Sequence, residues 1–212
     1  MITRCSVILL CLACGATLVF AQSPTTTSAK LPPLLPRERE IALALSAGPG
    51  NIRKDATVYV LERGGFVVAR EGTNGFTCLV NRDRPDTLEP ICFDPEGTRA
   101  ILPRSLDAAR WQEQGLSEAE VRAKVAEGFL TGKYRAPRQA GVAYMLSSEN
   151  RVFNGEKVIA YFPHVMIYAP NLTNAEIGAN MKNPRMPWML EEGSPHAYII
   201  VVVRNENKNN PQ

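Results

Sequence analysis

Histidine is scarce in this chain of 212 residues: His164 and His196 are the only two. The familiar motifs of site chemistry are missing as well. There is no HExxH or HxH spacing and no GxSxG elbow. No glycine-rich loop leads into a lysine and a helix, and no CxxC pair lies beyond residue 21. These absences argue in turn against a zinc-hydrolase helix, a serine-hydrolase nucleophile, a phosphate-binding loop and a thioredoxin-like redox pair. No cofactor is predicted. Past residue 21 no apolar run approaches the ~20 residues of a membrane-spanning helix, so no transmembrane segment is expected after signal cleavage. Charge of one sign is not in excess either. The formal net charge of +3 falls to +2 once Arg4 is removed with the N-terminal segment, too near neutrality to predict a nucleic-acid partner.

What the chain does have begins at its N-terminus. Arg4 supplies a positive start, residues 6–20 are apolar, and Val19-Phe20-Ala21 places small residues at the −3 and −1 positions. These are the three parts of a cleavable signal peptide spanning residues 1–21. The expected location is therefore exported, periplasmic or extracellular. Leu12-Ala13-Cys14-Gly15 loosely resembles a lipoprotein signal, which makes lipid anchoring through Cys14 the alternative. Of five cysteines, Cys5, Cys11 and Cys14 leave with the signal. The remaining pair, Cys78 and Cys92, is expected to form a disulfide in an oxidising compartment.

Residues 22–36, QSPTTTSAKLPPLLP, read as a Pro/Thr/Ser-rich linker, residues 37–204 as one domain, and residues 205–212 as a disordered polar tail. Pro36 opens a helix that ends at Gly48-Pro49-Gly50. Arg63-Gly64-Gly65-Phe66 marks a hairpin turn, and a third strand from Phe76 suggests an antiparallel meander. Residues 81–103 read as irregular. Two helices follow, the second opened by a Ser117/Glu120 capping box. Asn154-Gly155 predicts a tight type I′ hairpin, and Thr173/Glu176 a second capping box for a short helix. AYIIVVV, residues 197–203, reads as a strand central to the sheet. The fold class is α+β: a largely antiparallel sheet with helices packed on one face.

The segments EGTNGFTCLV (71–80), CFDPEGTRAILP (92–103), GVAYMLSSENRVF (141–153), PHVMIYAPNL (163–172) and GSPHAYIIV (193–201) together resemble an uncharacterised family of small exported bacterial proteins. The resemblance runs from about Arg37 to the end of the domain. It implies export and a single domain, and no activity.

Candidate site residues follow from chemistry alone. His164 and His196 each follow a proline and lead into an apolar strand. If those strands are neighbours, both imidazoles could share one end of the sheet. With Glu191 or Glu192 they would then form an acid–base pair or a weak metal site, although no metal is predicted; the preferred reading gives each imidazole a structural role, its ring N–H tying a strand-entry loop to a carbonyl. The corner Thr73-Asn74-Gly75-Phe76 could turn its backbone N–H groups toward an anion. Trp188, with Met181 and Met186, could cap the core or line a groove. The basic loop at Lys133, Tyr134, Arg135 and Arg138 reads as solvated charge. The preferred reading is a non-catalytic binding or structural protein of the cell envelope, whose partner is a small ligand or an envelope protein. Its groove would lie between Met186, Trp188 and the 73–76 corner. The alternative is a hydrolase or metal-dependent enzyme centred on His164 and His196.

Overall fold

The computed structural model describes residues 32–82, 84–183 and 185–203. The expected signal peptide with its Cys14 alternative, residues 22–31 of the expected linker, and the polar tail lie outside these described residues. In chain order the elements are α1 (Arg37–Leu45), α2 (Gly50–Arg53), β1 (Thr57–Glu62), β2 (Gly65–Arg70), β3 (Thr77–Asn81) and β4 (Glu89–Phe93). Next come α3 (Pro95–Ala100), α4 (Leu102–Glu113), α5 (Glu118–Leu130), β5 (Val142–Met145), β6 (Arg151–Phe153) and β7 (Val158–Ala160). β8 (His164–Tyr168), β9 (Trp188–Leu190) and β10 (Tyr198–Val202) complete the chain. Eight strands form one sheet in the order β2-β1-β3-β4-β5-β8-β10-β9, and β6 and β7 pair as a separate hairpin. The fold is mixed α+β in a single domain, with the large sheet mostly antiparallel.

The β1–β2 hairpin turns at Arg63-Gly64, where Gly64 takes φ 94°. β3 does not continue a meander. It crosses to the other side of β1 and runs parallel to it, Thr57 opposite Thr77. The corner at residues 71–76 makes that crossing by passing against the start of β1. Thr73 N donates to the Asp55 carbonyl at 2.8 Å, and Asn74 Nδ2 donates to the Ile52 carbonyl at 2.7 Å. The approach is close enough that a Cβ on Gly72 would collide with the backbone of Asp55, Ala56 and Thr57.

Alternation along the strands divides the core between the two faces. Val58, Cys78, Val80 and Cys92 point to α1, where they bury Leu43, Ala44 and Ala47. Leu79, Ile91 and Phe93 point the other way, toward Ala100, Ile101 and Leu102 at the α3–α4 junction. Phe93 and Leu43 are almost fully buried, each contributing roughly 1.5–3 kcal/mol of apolar burial. The expectation of helices on one face thus holds for the α3–α4 layer, whereas α1 takes the opposite face. The last residues of the expected linker also belong to the domain. Leu35 packs on the α1 core, and the Pro33 carbonyl accepts from Arg82 Nη1 at 2.6 Å. Arg82 is buried with Glu40, which it grips through both carboxylate oxygens.

Residues 81–103, expected to be irregular, instead contain β4 and α3. Pro90 hides the strand in the sequence, because proline lacks an N–H for the ladder. It is tolerated because β4 pairs with β5 only at Cys92 and Phe93. β4 brings Cys92 opposite Cys78, and the two are joined in the expected disulfide across a separation of 14 residues. Asp94 then caps α3, accepting from Gly97 N, while its other oxygen accepts from Val142 N. The Tyr168 hydroxyl donates to Asp94 at 3.1 Å and fills the space over Gly97 and Gly141, where no Cβ would fit. This knot ties α3 to β5 and β8.

Three local expectations change. The Asn154-Gly155 hairpin closes a four-residue loop, because Phe153 pairs with Val158 and Asn154 Oδ1 accepts from both Glu156 N and Lys157 N. Thr173 and Glu176 exchange capping-box bonds, but the segment remains a run of turns without an α-helix. β10 is paired on both sides yet sits next to the edge strand β9, away from the sheet centre.

Candidate functional site

A cavity of about 810 Å³ lies on the α4 side of the sheet. Its floor is buried and apolar: Phe93, Met145, Met166 and Ile200 rise from β4, β5, β8 and β10. The β6–β7 hairpin, which joins no other strand of the sheet, folds over one end with Val152, Phe153 and Ile159. Phe162, Met181 and Leu190 are exposed at the rim. The lining runs from Tyr198 on β10 to His164 on β8, which pairs with Val202, a span of about 14 Å along the strands and longer than one side chain can fill.

Polar side chains stand around this floor, among them Asn81, Glu89, Arg104, His164 and Glu191. Arg104, in the first turn of α4, reaches in beside Tyr198 and donates from Nη2 to its hydroxyl at 3.3 Å. At the opposite end Asn81 Nδ2 donates to Glu89 Oε2 at 3.0 Å. Three buried polar atoms of the lining have no hydrogen-bond partner: Arg104 Nε, the Tyr161 hydroxyl and the Trp188 indole N–H. Burial raises the Tyr161 pKa, and the neighbouring indole N–H of Trp188 partly offsets this without a hydrogen bond of normal geometry between them.

His164 is the sequence-selected histidine that lines the cavity. Its Nδ1 lies 2.8 Å from the Phe162 carbonyl, which can only accept, so Nδ1 carries the proton and Nε2 is left as an acceptor. Burial holds its pKa below the ordinary histidine value, against the opposite pull of that carbonyl. Tyr161 packs edge-on against the ring at 5.2 Å.

His196 sits elsewhere, and the expected pairing of the two imidazoles is overturned. β8 and β10 are neighbours, but antiparallel, with Tyr198 opposite Tyr168 and Val202 opposite His164. His164 opens β8 and His196 lies two residues before β10, so antiparallel pairing sends them to opposite ends. Continuing the register sets His196 across from Pro170, about 20 Å along the strand from His164. His196 instead stacks on Phe129 of α5, with centroids 4.9 Å apart. Burial, with a smaller contribution from the Arg104 charge, lowers its pKa to about 3. Its Nε2 is 3.9 Å from Glu191 Oε2. Ser194 Oγ accepts from the backbone N–H of His196. Among the described residues no group of three or more His, Cys, Asp or Glu side chains is arranged to hold a metal.

The remaining candidates are also dispersed. Trp188 and Glu191 line the cavity, Glu191 at φ 55° in the turn after β9. Glu192 does not line it; its carboxylate accepts from Asn174 N at 2.8 Å. The 73–76 corner lies five places from β9 in the sheet order, about 24 Å away, so it shares no groove with Trp188 or Met186. Its N–H groups are also committed: Thr73 N and Asn74 N to the Asp55 carbonyl, and Phe76 N to Asn74 Oδ1. The corner is a strand crossover. In the basic loop, Lys133 pairs with Asp107, which also accepts from the Tyr134 hydroxyl, and Arg138 N donates to Glu96.

Arg104, Tyr161 and Phe153 were not legible as site residues in the sequence. Each lies in an ordinary amphipathic context, and only the closure of the hairpin over the sheet brings them together. Comparison of the chain with protein-family models, with curated proteins and with solved structures gives no match.

Proposed function

We propose that this chain is an exported, non-catalytic binding domain whose cavity takes one small, largely apolar molecule. The observation that carries the reading is the lining itself: a buried apolar floor under a closing hairpin, with Arg104 outside any ion pair among the described residues and the Tyr161 hydroxyl beside the Trp188 indole in the wall. A cavity of this size with an apolar floor and convergent polar groups is what small-ligand sites have in common. The signal-like N-terminus, the resemblance to small exported bacterial proteins and the Cys78–Cys92 disulfide support an extracytoplasmic location. Among the described residues no helix is long and apolar enough to cross a membrane.

The test uses the neutral apolar fluorophore N-phenyl-1-naphthylamine. Saturable binding at one site is expected, with quenching of Trp188 that is lost in Trp188→Phe. Ile159→Trp, which fills the cavity from the hairpin side, should weaken binding about tenfold or more, as loss of roughly 1.4 kcal/mol implies. Absence of saturable binding, or binding indifferent to Ile159→Trp, would overturn the reading.

A further inference from the structure

We infer that the molecule held in the cavity carries a carboxylate and that Arg104 receives it; the inference rests on the cavity being a binding site. Arg104 is a permanent cation placed against an apolar chamber. Its Nη2 makes only the long bond to the Tyr198 hydroxyl, its Nε is buried without a partner, and among the described residues it forms no ion pair. Arg104 is part-buried, so an anion bound inside the chamber would meet this cation with less competition from water than at an open surface. Arg104 belongs to the cavity lining, and its guanidinium is the kind of fork that takes both oxygens of a carboxylate in parallel hydrogen bonds.

The protein's own carboxylates do not fill that role. Glu89 lies at the far end of the cavity and accepts from Asn81. Glu191 is half-exposed at the rim; it is near enough to act on Tyr198 but forms no ion pair with Arg104, and His196 Nε2 lies 3.9 Å from it. Tyr198, whose hydroxyl adjoins the fork, is buried, which raises its pKa and keeps it a neutral donor able to turn toward the same anion. From Arg104 and Tyr198 the apolar floor leads away along β10 past Ile200, with Met166 beside it on β8. A molecule with an acidic head at Arg104 and an apolar body along this floor satisfies the cation and fills the chamber together. A saturated monocarboxylate is the simplest molecule of that kind.

The experiment compares dodecanoate with 1-dodecanol, which share the tail and differ in the head. Each displaces N-phenyl-1-naphthylamine from the disulfide-bonded protein, in wild type, Arg104→Met and Arg104→Lys. Hydrogen bonds to a charged group, at roughly 1.5–3 kcal/mol, correspond to about a ten- to hundredfold preference for the acid in wild type. Arg104→Met should abolish the preference while the fluorophore still binds, and Arg104→Lys should keep part of it. Equal displacement by acid and alcohol, or an unchanged preference in Arg104→Met, would overturn the carboxylate and leave the cavity reading standing. Failure of wild type to bind the fluorophore would remove both. Should Arg104→Met lose its near-ultraviolet dichroism, the wild-type comparison and Arg104→Lys decide the question.

Discussion

His196 shows how much of a side chain's chemistry is set by what packs on it. Stacked on Phe129 and sheltered from water, it resists protonation down to about pH 3, whereas an unfolded histidine takes its proton near 6.5. Between those values the unfolded state binds the extra proton. Stability is therefore complete above about pH 6.5 and falls as pH drops toward 3, by at most about 1.4 kcal/mol per pH unit. His164, also shifted down by burial, adds to the same trend. Urea unfolding at pH 7 and at pH 4.5 should show this loss, and His196→Phe should reduce it. An equal loss in the variant would assign the acid sensitivity to other groups. The sequence preferred a structural role for each imidazole and admitted a functional pair only if the two met; in the structure each ring is held by its own neighbour.

At the scale of elements, the β1-to-β3 connection has the least tolerance. The chain passes so near the start of β1 that Gly72 has no space for a side chain. Gly72→Ala must displace the backbone of residues 55–57, and a loss of about 2–4 kcal/mol is expected in thermal unfolding. Gly50, which opens α2 with nothing near its would-be Cβ and an ordinary φ, is the control. Gly50→Ala should be neutral or stabilise by a few tenths of a kcal/mol, up to about 1. A similar loss at both positions would mean that the crossing is not the cause. Elements with signals inside a few residues were readable beforehand. The Ser117/Glu120 capping box opens α5 where expected, and Gly64 turns the first hairpin. The Thr173/Glu176 box also forms its bonds, yet no helix follows, because capping satisfies a helix start without supplying an apolar stripe to bury.

Across the whole molecule, the disulfide joins the adjacent inner strands β3 and β4 beneath α1, with both cysteines fully buried. Replacing both by alanine should cost about 3 kcal/mol for a loop of this length, while the circular dichroism of the fold is retained. Loss of all folded signal in the double variant would show that the sheet cannot assemble without the link.

Composition and local pattern by themselves determined the α+β class, the pairing of Cys78 with Cys92, the first hairpin turn and the start of α5. These rest on contacts between residues close along the chain, or on Cys78 and Cys92 being the two cysteines beyond the signal-like N-terminus. Tertiary structure alone decided the parallel pairing of β1 with β3 and the place of β10 beside the edge. It also decided the separation of His164 from His196 and the gathering of Arg104, Tyr161 and Trp188 around one cavity. The physical reason is that strand order and direction are chosen by packing between distant segments. A short apolar run reads the same whichever neighbour it takes and whichever way that neighbour points.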